Sequence, residues 1–212
     1  MGPFRALLLL NLMLVRAAGA MRTLLDHGGG IVKGLEHWNV LATAKEGEQR
    51  RLAALLRRFG EFRRARFLGV IVGRVEKPEA LFEQLQHKEE EQPGFLDPLS
   101  KLVPIDRTFD FTLENFAERL KDAVLPYAEL IGSGSFYLRI ERRGHAGEIH
   151  SQRQEQRLDQ ALREYLMARG HTPSVDFKDP DVIIVAETLD DECGVGAITR
   201  ALRSRFPFVR VP

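Results

Sequence analysis

The sequence predicts a mixed α/β (α+β) fold, and three features of its second half lead to that prediction. Phe136, Leu138 and Ile140 alternate with polar residues, the period-two pattern of a strand with one buried face. Residues 182–186 form an apolar, mostly β-branched run, as in a strand buried on both faces. The segment between them, residues 151–169, has apolar residues at helical spacing. Strand, helix and strand in this order are typical of an α/β arrangement.

The helix between these strands is expected to begin at Ser151 and to end near Arg169. Ser151 and Gln154 have the spacing of a capping box, and Gly170 can adopt the left-handed conformation that closes many helices. The residues of the apolar face are Leu158, Leu162, Tyr165 and Leu166. The arginines of the solvent face are Arg153, Arg157 and Arg163.

The first half of the chain also predicts alternating strands and helices. Residues 38–44 and 67–73 have the apolar character of buried strands. A helix from about residue 46 to Phe59 lies between them and ends at Gly60.

Two prolines define the elements that follow. Pro78 can open a short helix over residues 79–86, and residues 88–94 are expected to form a polar, mobile loop. Pro104 lies in a predicted short strand, residues 102–106, and indicates either the edge of a sheet or the end of a strand. These elements fit a ferredoxin-like α/β sandwich in which one strand cannot be assigned.

The second half opens with a helix that we expect Thr112 to cap, and Pro126 should kink or restart it. Its predicted inward face consists of Leu113, Phe116, Leu120, Val124 and Tyr127. Near the chain's end, Gly194 and Gly196 are expected to follow a strand and to precede a short helical piece.

Length and composition indicate an ordinary globular protein. The 212 residues, 44% of them hydrophobic, are enough for two small domains. Because the net charge is only +1, a nucleic-acid surface would have to come from local segregation of charge. The single cysteine, Cys193, excludes an internal disulfide framework and fits a reducing compartment.

Residues 1–20 imitate a secretory signal, with Arg5, a short apolar run and small residues at the apparent cleavage site. The run is too short to span a bilayer. Met21 follows at once, so we expect translation to begin there and the protein to be cytoplasmic; export is the alternative. With the glycine-rich residues 21–36, this segment forms a predicted N-terminal extension, residues 1–36.

Three segments together resemble the THUMP family, an RNA-binding module of tRNA-modifying proteins: residues 139–151, the turn at residues 178–181 before an apolar strand, and residues 194–200. The resemblance implies a ferredoxin-like domain at residues 37–107 and a THUMP-like domain at residues 108–212. The chain is similar to the stand-alone type that presents tRNA to a cytidine acetyltransferase. The implied partners are tRNA or other structured RNA and a separate RNA-modifying enzyme, with no membrane involved.

Basic residues make up the candidate RNA surface. Few acids interrupt the arginines of the first half, and arginine contacts to phosphate give sequence-independent affinity. In the resembled family a basic residue near the turn around Pro180 belongs to the RNA surface. The full candidate set is Arg57, Arg58, Arg63, Arg64, Arg139, Arg142, Arg143, His145, His150, Lys178 and Arg200. The alternative is that these side chains are solvated or paired with neighbouring acids.

Other chemistry finds little support in the sequence. The glycines at 132 and 134 precede a strand, whereas phosphate loops follow one, and Thr199 stands where a dinucleotide fingerprint needs its third glycine. His145, His150 and one cysteine do not reach the ligand count of a closed metal site. No nucleophile elbow is present. We therefore expect no nucleotide cofactor, no metal and no enzymatic activity.

The sequence thus supports the hypothesis of a two-domain RNA-binding protein that recognises shape and phosphates, with an affinity that falls steeply with salt. The rival hypothesis is a scaffold that uses the same fold for a protein partner, which the near-neutral charge permits.

Overall fold

A computed structural model describes residues 37–211, which lie in one compact unit, Leu35–Pro212. The predicted extension at residues 1–36 lies outside the described residues. The strands are β1 (Val40–Ala44), β2 (Glu61–Arg64), β3 (Val70–Arg74), β4 (Leu99–Pro104), β5 (Arg107–Asp110), β6 (Ser135–Glu141), β7 (Ser174–Val175), β8 (Val182–Leu189) and β9 (Glu192–Thr199). The helices are α1 (Gln49–Leu56), α2 (Pro78–Glu91), α3 (Phe116–Val124), α4 (Ala128–Ile131), α5 (Ser151–Met167) and α6 (Arg200–Arg205).

The first sheet has four antiparallel strands in the order β2-β3-β1-β4. Helices α1 and α2 make its two crossovers, which gives the succession β-α-β-β-α-β of a split βαβ unit. This is the topology that the ferredoxin-like prediction requires. The strand that the sequence could not assign is β2. Strand β4 begins at Leu99 rather than at residue 102, it lies at the edge of this sheet, and Pro104 is its last residue, so both expectations for Pro104 are met.

The second sheet has five strands in the order β5-β9-β8-β6-β7, and β6 runs parallel to β8 and β7. All eight residues of β8 are buried, and buried and half-buried residues alternate along β6. Both strand predictions are confirmed. Strand β5, whose first residue is Arg107, belongs to this sheet through its pairing with β9.

Each face of the second sheet has its own hydrophobic core. Phe136, Ile184 and Val195 pack with residues of α3 and α5 on one face. Ile183 and Val185 pack on the other face, in the core that also holds the buried side chains of the first sheet. The second sheet is therefore covered by helices on one side and by the first half of the chain on the other.

Two glycines of β9 allow this close packing. A Cβ atom on Gly196 would lie 2.1 Å from the carbonyl oxygen of Pro104, and one on Gly194 would lie 2.4 Å from the Trp38 ring. The sequence-based placement of these glycines after a strand is wrong, because both lie inside β9. The expected helical piece follows as α6.

The C-terminal segment returns to the first sheet. The backbone N–H of Leu102 in β4 donates to the carbonyl oxygen of Phe208 (2.9 Å), and Val209 bridges to Leu102. The Phe206 ring packs edge to face on Phe82 of α2 at 5.7 Å. These last residues thus cover an edge and a helix formed much earlier in the chain.

Several helix boundaries differ from those expected. His150 is the N-cap residue of α5 and Ser151 is the first helical residue, so the capping box is wrong. Helix α3 begins at Phe116 rather than at Thr112, and Leu113 is exposed instead of facing inward. Gly170, with φ +81°, has the predicted left-handed conformation after α5. A 3₁₀ turn at Leu125–Tyr127 restarts the helix, as Pro126 predicts.

The expected polar loop at residues 88–94 is also wrong in its first part, because α2 continues to Glu91. Lys88 pairs with Glu91 at 2.6 Å, a helical i,i+3 contact. The carboxylate of Glu89 accepts the backbone N–H groups of Gly94 and Leu96. These bonds order the end of the helix together with the turn that follows it.

Helix α5 protects the edge of β6, which β7 leaves unpaired beyond Phe136. The Glu155 carboxylate accepts the backbone N–H of Ile140 at 2.7 Å. One turn further, Asp159 is only 9% exposed and its Oδ1 atom has no hydrogen-bond partner among the described residues. Burial raises the pKa of Asp159 to about 6, and the backbone N–H of Leu138 offsets part of that shift.

We expect Asp159→Asn to stabilise the protein at pH 7.5 by roughly 1–3 kcal/mol. The folded-state pKa of about 6 lies above the value of roughly 3.9 for an unfolded chain, so the carboxyl group costs stability as the pH rises from about 4 to 6. Urea denaturation of variant and wild type across pH 4–8 measures the difference. Glu164→Gln, on the exposed side of α5, is the control. If the free energies of unfolding of variant and wild type differed by the same amount at pH 4 and pH 7.5, the prediction would be contradicted.

Candidate nucleic-acid interface

The loop between β6 and α5 and the first turn of that helix bring together two arginines and a histidine. Arg142, His150 and Arg153 line a shallow depression at the first turn of α5, and we call these residues the α5 entry cluster. Arg142 Nη1 donates to the carbonyl oxygen of Gly144 at 2.7 Å, which holds its guanidinium beside the helix start. No side chain among the described residues caps α5, and its first turn contains no acid.

This arrangement suits an anion. The backbone N–H groups of the first helical turn have no intrahelical partners, and the helix dipole gives this end a partial positive charge. Arginine side chains beside such an end can add hydrogen bonds to a phosphate group. The α5 entry cluster therefore has the chemistry of a phosphate contact.

Arg143, next in sequence, lies in a different environment. Its guanidinium pairs with the carboxylate of Glu187, which is fully buried in β8. Lys101 of β4 lies 3.2 Å from the same carboxylate, so Glu187 pairs with two cations. The side chain of Lys101 is 8% exposed and that of Arg143 is 17% exposed. We call Lys101, Glu187 and Arg143 the buried ion triad. The charge of Arg143 is largely compensated by Glu187.

His145 is held by two carboxylates. Its Nε2 atom lies 2.8 Å from Asp191 and its Nδ1 atom lies 3.2 Å from Glu148. The hydrogen bonds with Asp191 and then Glu148 raise the pKa of His145, so they favour the imidazolium. Both neighbouring carboxylates are negatively charged, so they weaken the attraction between the His145 imidazolium and a phosphate group.

Two arginines of the first half, Arg63 and Arg66, lie near the β8–β9 turn. Asp190 pairs with Arg66 at 2.7 Å, and its backbone N–H donates to the carbonyl oxygen of Arg143. Arg63 is half-buried on β2, and its charge partly offsets the burial that raises the pKa of Glu192. Two basic residues of the first half are thereby placed near the loop that starts at Arg142.

The other first-half candidates lie elsewhere. Arg57 donates to the carbonyl oxygen of Phe62 at 3.2 Å, and Arg58 lies over the Phe95 ring at 5.9 Å. Arg64 is exposed on the edge strand β2. Within residues 37–211, no hydrogen bond or ion pair connects Arg57, Arg58 or Arg64 to the second sheet.

Lys178 and Arg200 lie at the opposite end of the second sheet. Arg200 pairs with Asp181 at 2.7 Å and with Asp179 at 3.1 Å. The Asp176 carboxylate accepts the backbone N–H of Lys178 at 2.8 Å and shapes the turn before β8. Since β8 and its flanking residues span roughly 30 Å, Lys178 and Arg200 are separated from Arg142, Arg143, His145 and His150, which lie at the other end of the sheet.

Strand β6 connects the two groups. Every second residue of this strand points to the same face, and Tyr137, Arg139 and Glu141 share the half-buried one. Arg139 pairs with Glu141 at 2.8 Å. Beside Tyr137 lies Phe177, which is 71% exposed, with the two ring centroids 5.6 Å apart. Aromatic and charged side chains thus continue along β6 from the turn at Lys178 towards Arg143.

Sequence reasoning missed two residues of this surface. Arg153 was placed on the solvent face of α5 and was not assigned to the RNA surface. Its position in the first helical turn was the signal that could have identified it, and the structure shows that it lies beside Arg142. Phe177 stands within Asp176-Phe-Lys-Asp-Pro, where an aspartate-shaped turn presents an aromatic ring outward. An aromatic residue inside such a turn could have been recognised as exposed.

Cys193 is buried, and burial raises the pKa of its thiol, which disfavours the thiolate nucleophile. Across the described residues, no three His, Cys, Asp or Glu side chains are grouped so that they could hold a metal ion. No helix within residues 37–211 is both long and apolar enough to cross a membrane.

Comparison with known proteins identifies part of the chain. Residues 112–197 match the family model of the THUMP domain, which includes β6, β8, α5 and the α5 entry cluster. No match was found among curated proteins.

The fold is similar to solved structures. TrmN from Thermus thermophilus is 24% identical, with a TM-score of 0.54, over 76% of this chain and 45% of that protein. PH1313 from Pyrococcus horikoshii Ot3 is 13% identical (TM-score 0.53), over 77% of this chain and 55% of that one. A 4-thiouridine synthetase in complex with RNA and ATP is 13% identical (TM-score 0.51), over 76% of this chain and 41% of that protein. The chain therefore spans about half, or less, of the length of these proteins.

Proposed function

Since residues 112–197 form a THUMP domain, a class of domain that in general binds RNA, we propose that this protein binds tRNA and presents it to a separate tRNA-modifying enzyme. The α5 entry cluster carries the proposal. It combines two arginines and a histidine with an uncapped helix start, inside the matched residues. Phosphate contacts of this kind hold structured RNA by its shape and backbone.

The solved structures support the choice of RNA. One similar protein is a 4-thiouridine synthetase crystallised with RNA. The similar part of that synthetase amounts to 41% of its length, and in TrmN it amounts to 45%. We place RNA binding in the part that this chain shares with these two proteins. The buried, unpaired Cys193 suits a reducing compartment, and we place the protein in the cytoplasm.

The proposal is tested by exposing the full-length protein to total cellular RNA at several salt concentrations and sequencing the RNA that is retained. We expect tRNA to be enriched and its retention to fall steeply with salt, because each phosphate contact releases counterions. If no RNA is retained even at low salt, the proposal fails and the scaffold hypothesis takes its place.

We expect Arg142→Ala with Arg153→Ala to weaken tRNA binding by about 10–30-fold and to reduce the slope of log affinity against log salt by about 1.5, the equivalent of two phosphate contacts. Arg157→Ala with Arg163→Ala is the matched control, since it removes the same charge from the same helix, away from its first turn. Fluorescence anisotropy with labelled tRNA measures both. Equal weakening by the two double variants would show that net charge, and not the α5 entry cluster, binds the RNA.

A further inference from the structure

Phe177 is the one aromatic residue among the large apolar side chains that the described surface exposes. Its side chain is 71% exposed, although it lies between two structured elements, β7 and β8. A single exposed apolar side chain is common on protein surfaces, so exposure alone does not mark Phe177 as part of a site.

The turn that carries Phe177 is ordered on both sides. Asp176 Oδ1 accepts the backbone N–H groups of Lys178 (2.8 Å) and Asp179 (3.2 Å), and the Asp176 N–H donates to Phe136 of β6 (3.1 Å). Arg203 donates to the carbonyl oxygen of Pro180 at 2.6 Å. The ring is therefore presented outward by a fixed backbone.

Tyr137 supports the ring from one side. The two rings are 5.6 Å apart and inclined by 43°, and Tyr137 is itself half-buried in β6. This contact restricts the Phe177 ring while most of its surface stays accessible. A ring held in this way loses little conformational freedom when a second flat group stacks on it.

Cationic side chains lie near the pair, among the acids of the turn: Asp176 precedes Phe177, and Arg203 pairs with Asp179 at 3.3 Å. Lys178, the next residue, forms no ion pair with any residue that the structure describes. Arg139 and Arg203 lie close enough to Tyr137 to act against the burial that raises its pKa. Arg139 remains 42% exposed although it pairs with Glu141. A flat group bearing negative charge fits both the rings and these cations.

We propose that Phe177 and Tyr137 form a stacking platform for an unpaired base of the bound RNA, with Lys178 on the adjoining phosphate. The inference rests on the proposed function, since it names a second contact on the same RNA. Stacking on aromatic side chains is the general means by which proteins hold single-stranded nucleotides, and it tolerates any base. The α5 entry cluster would hold the backbone of the paired part, at the other end of β6.

Three labelled RNA hairpins test the platform: one blunt, one with four unpaired adenosines at its 3′ end, and one with four at its 5′ end. We expect the full-length protein to prefer at least one extended hairpin over the blunt one. Phe177→Ala should remove that preference, a loss of about tenfold, and leave binding of the blunt hairpin unchanged. Phe177→Trp should retain it. Met167→Ala, which truncates another exposed apolar side chain, should have no effect.

A 2-aminopurine base in the extension gives an independent readout, since stacking quenches its fluorescence. Quenching should occur with wild type and Phe177→Trp and be absent with Phe177→Ala. If extended hairpins bind but Phe177→Ala keeps both preference and quenching, the platform is wrong and the proposed function stands. If wild type binds none of the hairpins and no cellular RNA, the proposed function itself fails, and the exposed ring becomes a candidate contact for a protein.

Discussion

Replacing Glu187 by alanine should lower the free energy of unfolding by about 3–5 kcal/mol, because it leaves two cations of the buried ion triad without their partner. Glu187 is fully buried, and Lys101 and Arg143 are only 8% and 17% exposed. Removing one member of a buried ion group costs far more than the group contributes to stability, since uncompensated charge remains out of water. A domain has only about 5–15 kcal/mol to lose. The variant should therefore be close to unfolding at 37 °C.

Urea denaturation followed by circular dichroism measures the effect. Glu141→Ala, which breaks the half-buried pair with Arg139, is the control and should cost only about 1 kcal/mol, because both side chains still reach solvent. A Glu187→Ala variant as stable as this control would show that water reaches the triad. Because Arg143 belongs to the triad, its own replacement would change stability as well as any contact with RNA, so it is unsuitable for a binding test.

Gly196→Ala should destabilise the protein by more than about 3 kcal/mol. The added Cβ would lie 2.1 Å from the carbonyl oxygen of Pro104, far inside any real contact distance. The obstacle is backbone, so no side-chain rotation can relieve it, and β9 would have to move away from β4. Gly196 does not have a positive φ, so alanine meets no backbone strain there and the cost comes from the lost packing.

Gly147→Ala is the control for this variant. No atom lies within 4 Å of the new Cβ, but φ is +85°, so we expect only the left-handed penalty of about 1–2 kcal/mol. Thermal and urea unfolding of both variants compare the steric cost with the conformational one. If Gly196→Ala lowers the free energy of unfolding by no more than Gly147→Ala does, the two sheets can separate slightly without loss of their shared core.

The sequence predicted those elements whose burial follows a simple period. β6, β8 and α5 each bury a regular set of side chains, and their apolar pattern identified them. Strand β2 has one buried residue, Phe62, and β5 has none, so neither has a periodic signal. Both are edge strands whose existence depends on their neighbours.

The candidate site was predicted less completely, because the environment of a charge depends on distant residues. Nothing near Arg143 in sequence indicates that its partner is Glu187, 44 residues later. Sequence spacing also could not show that Lys178 and Arg142 lie at opposite ends of one sheet. The THUMP domain was confirmed at residues 112–197, while the role of each basic residue stays a prediction.

The return of the C-terminal segment to β4 has a consequence for synthesis on the ribosome. The β4 edge at Leu102 and the Phe82 ring stay uncovered until residues 206–209 have left the exit tunnel. A nascent chain therefore exposes an unpaired strand edge and an aromatic surface for most of its translation, the condition under which chains associate wrongly or recruit chaperones. The first half of this protein, although made first, is completed last.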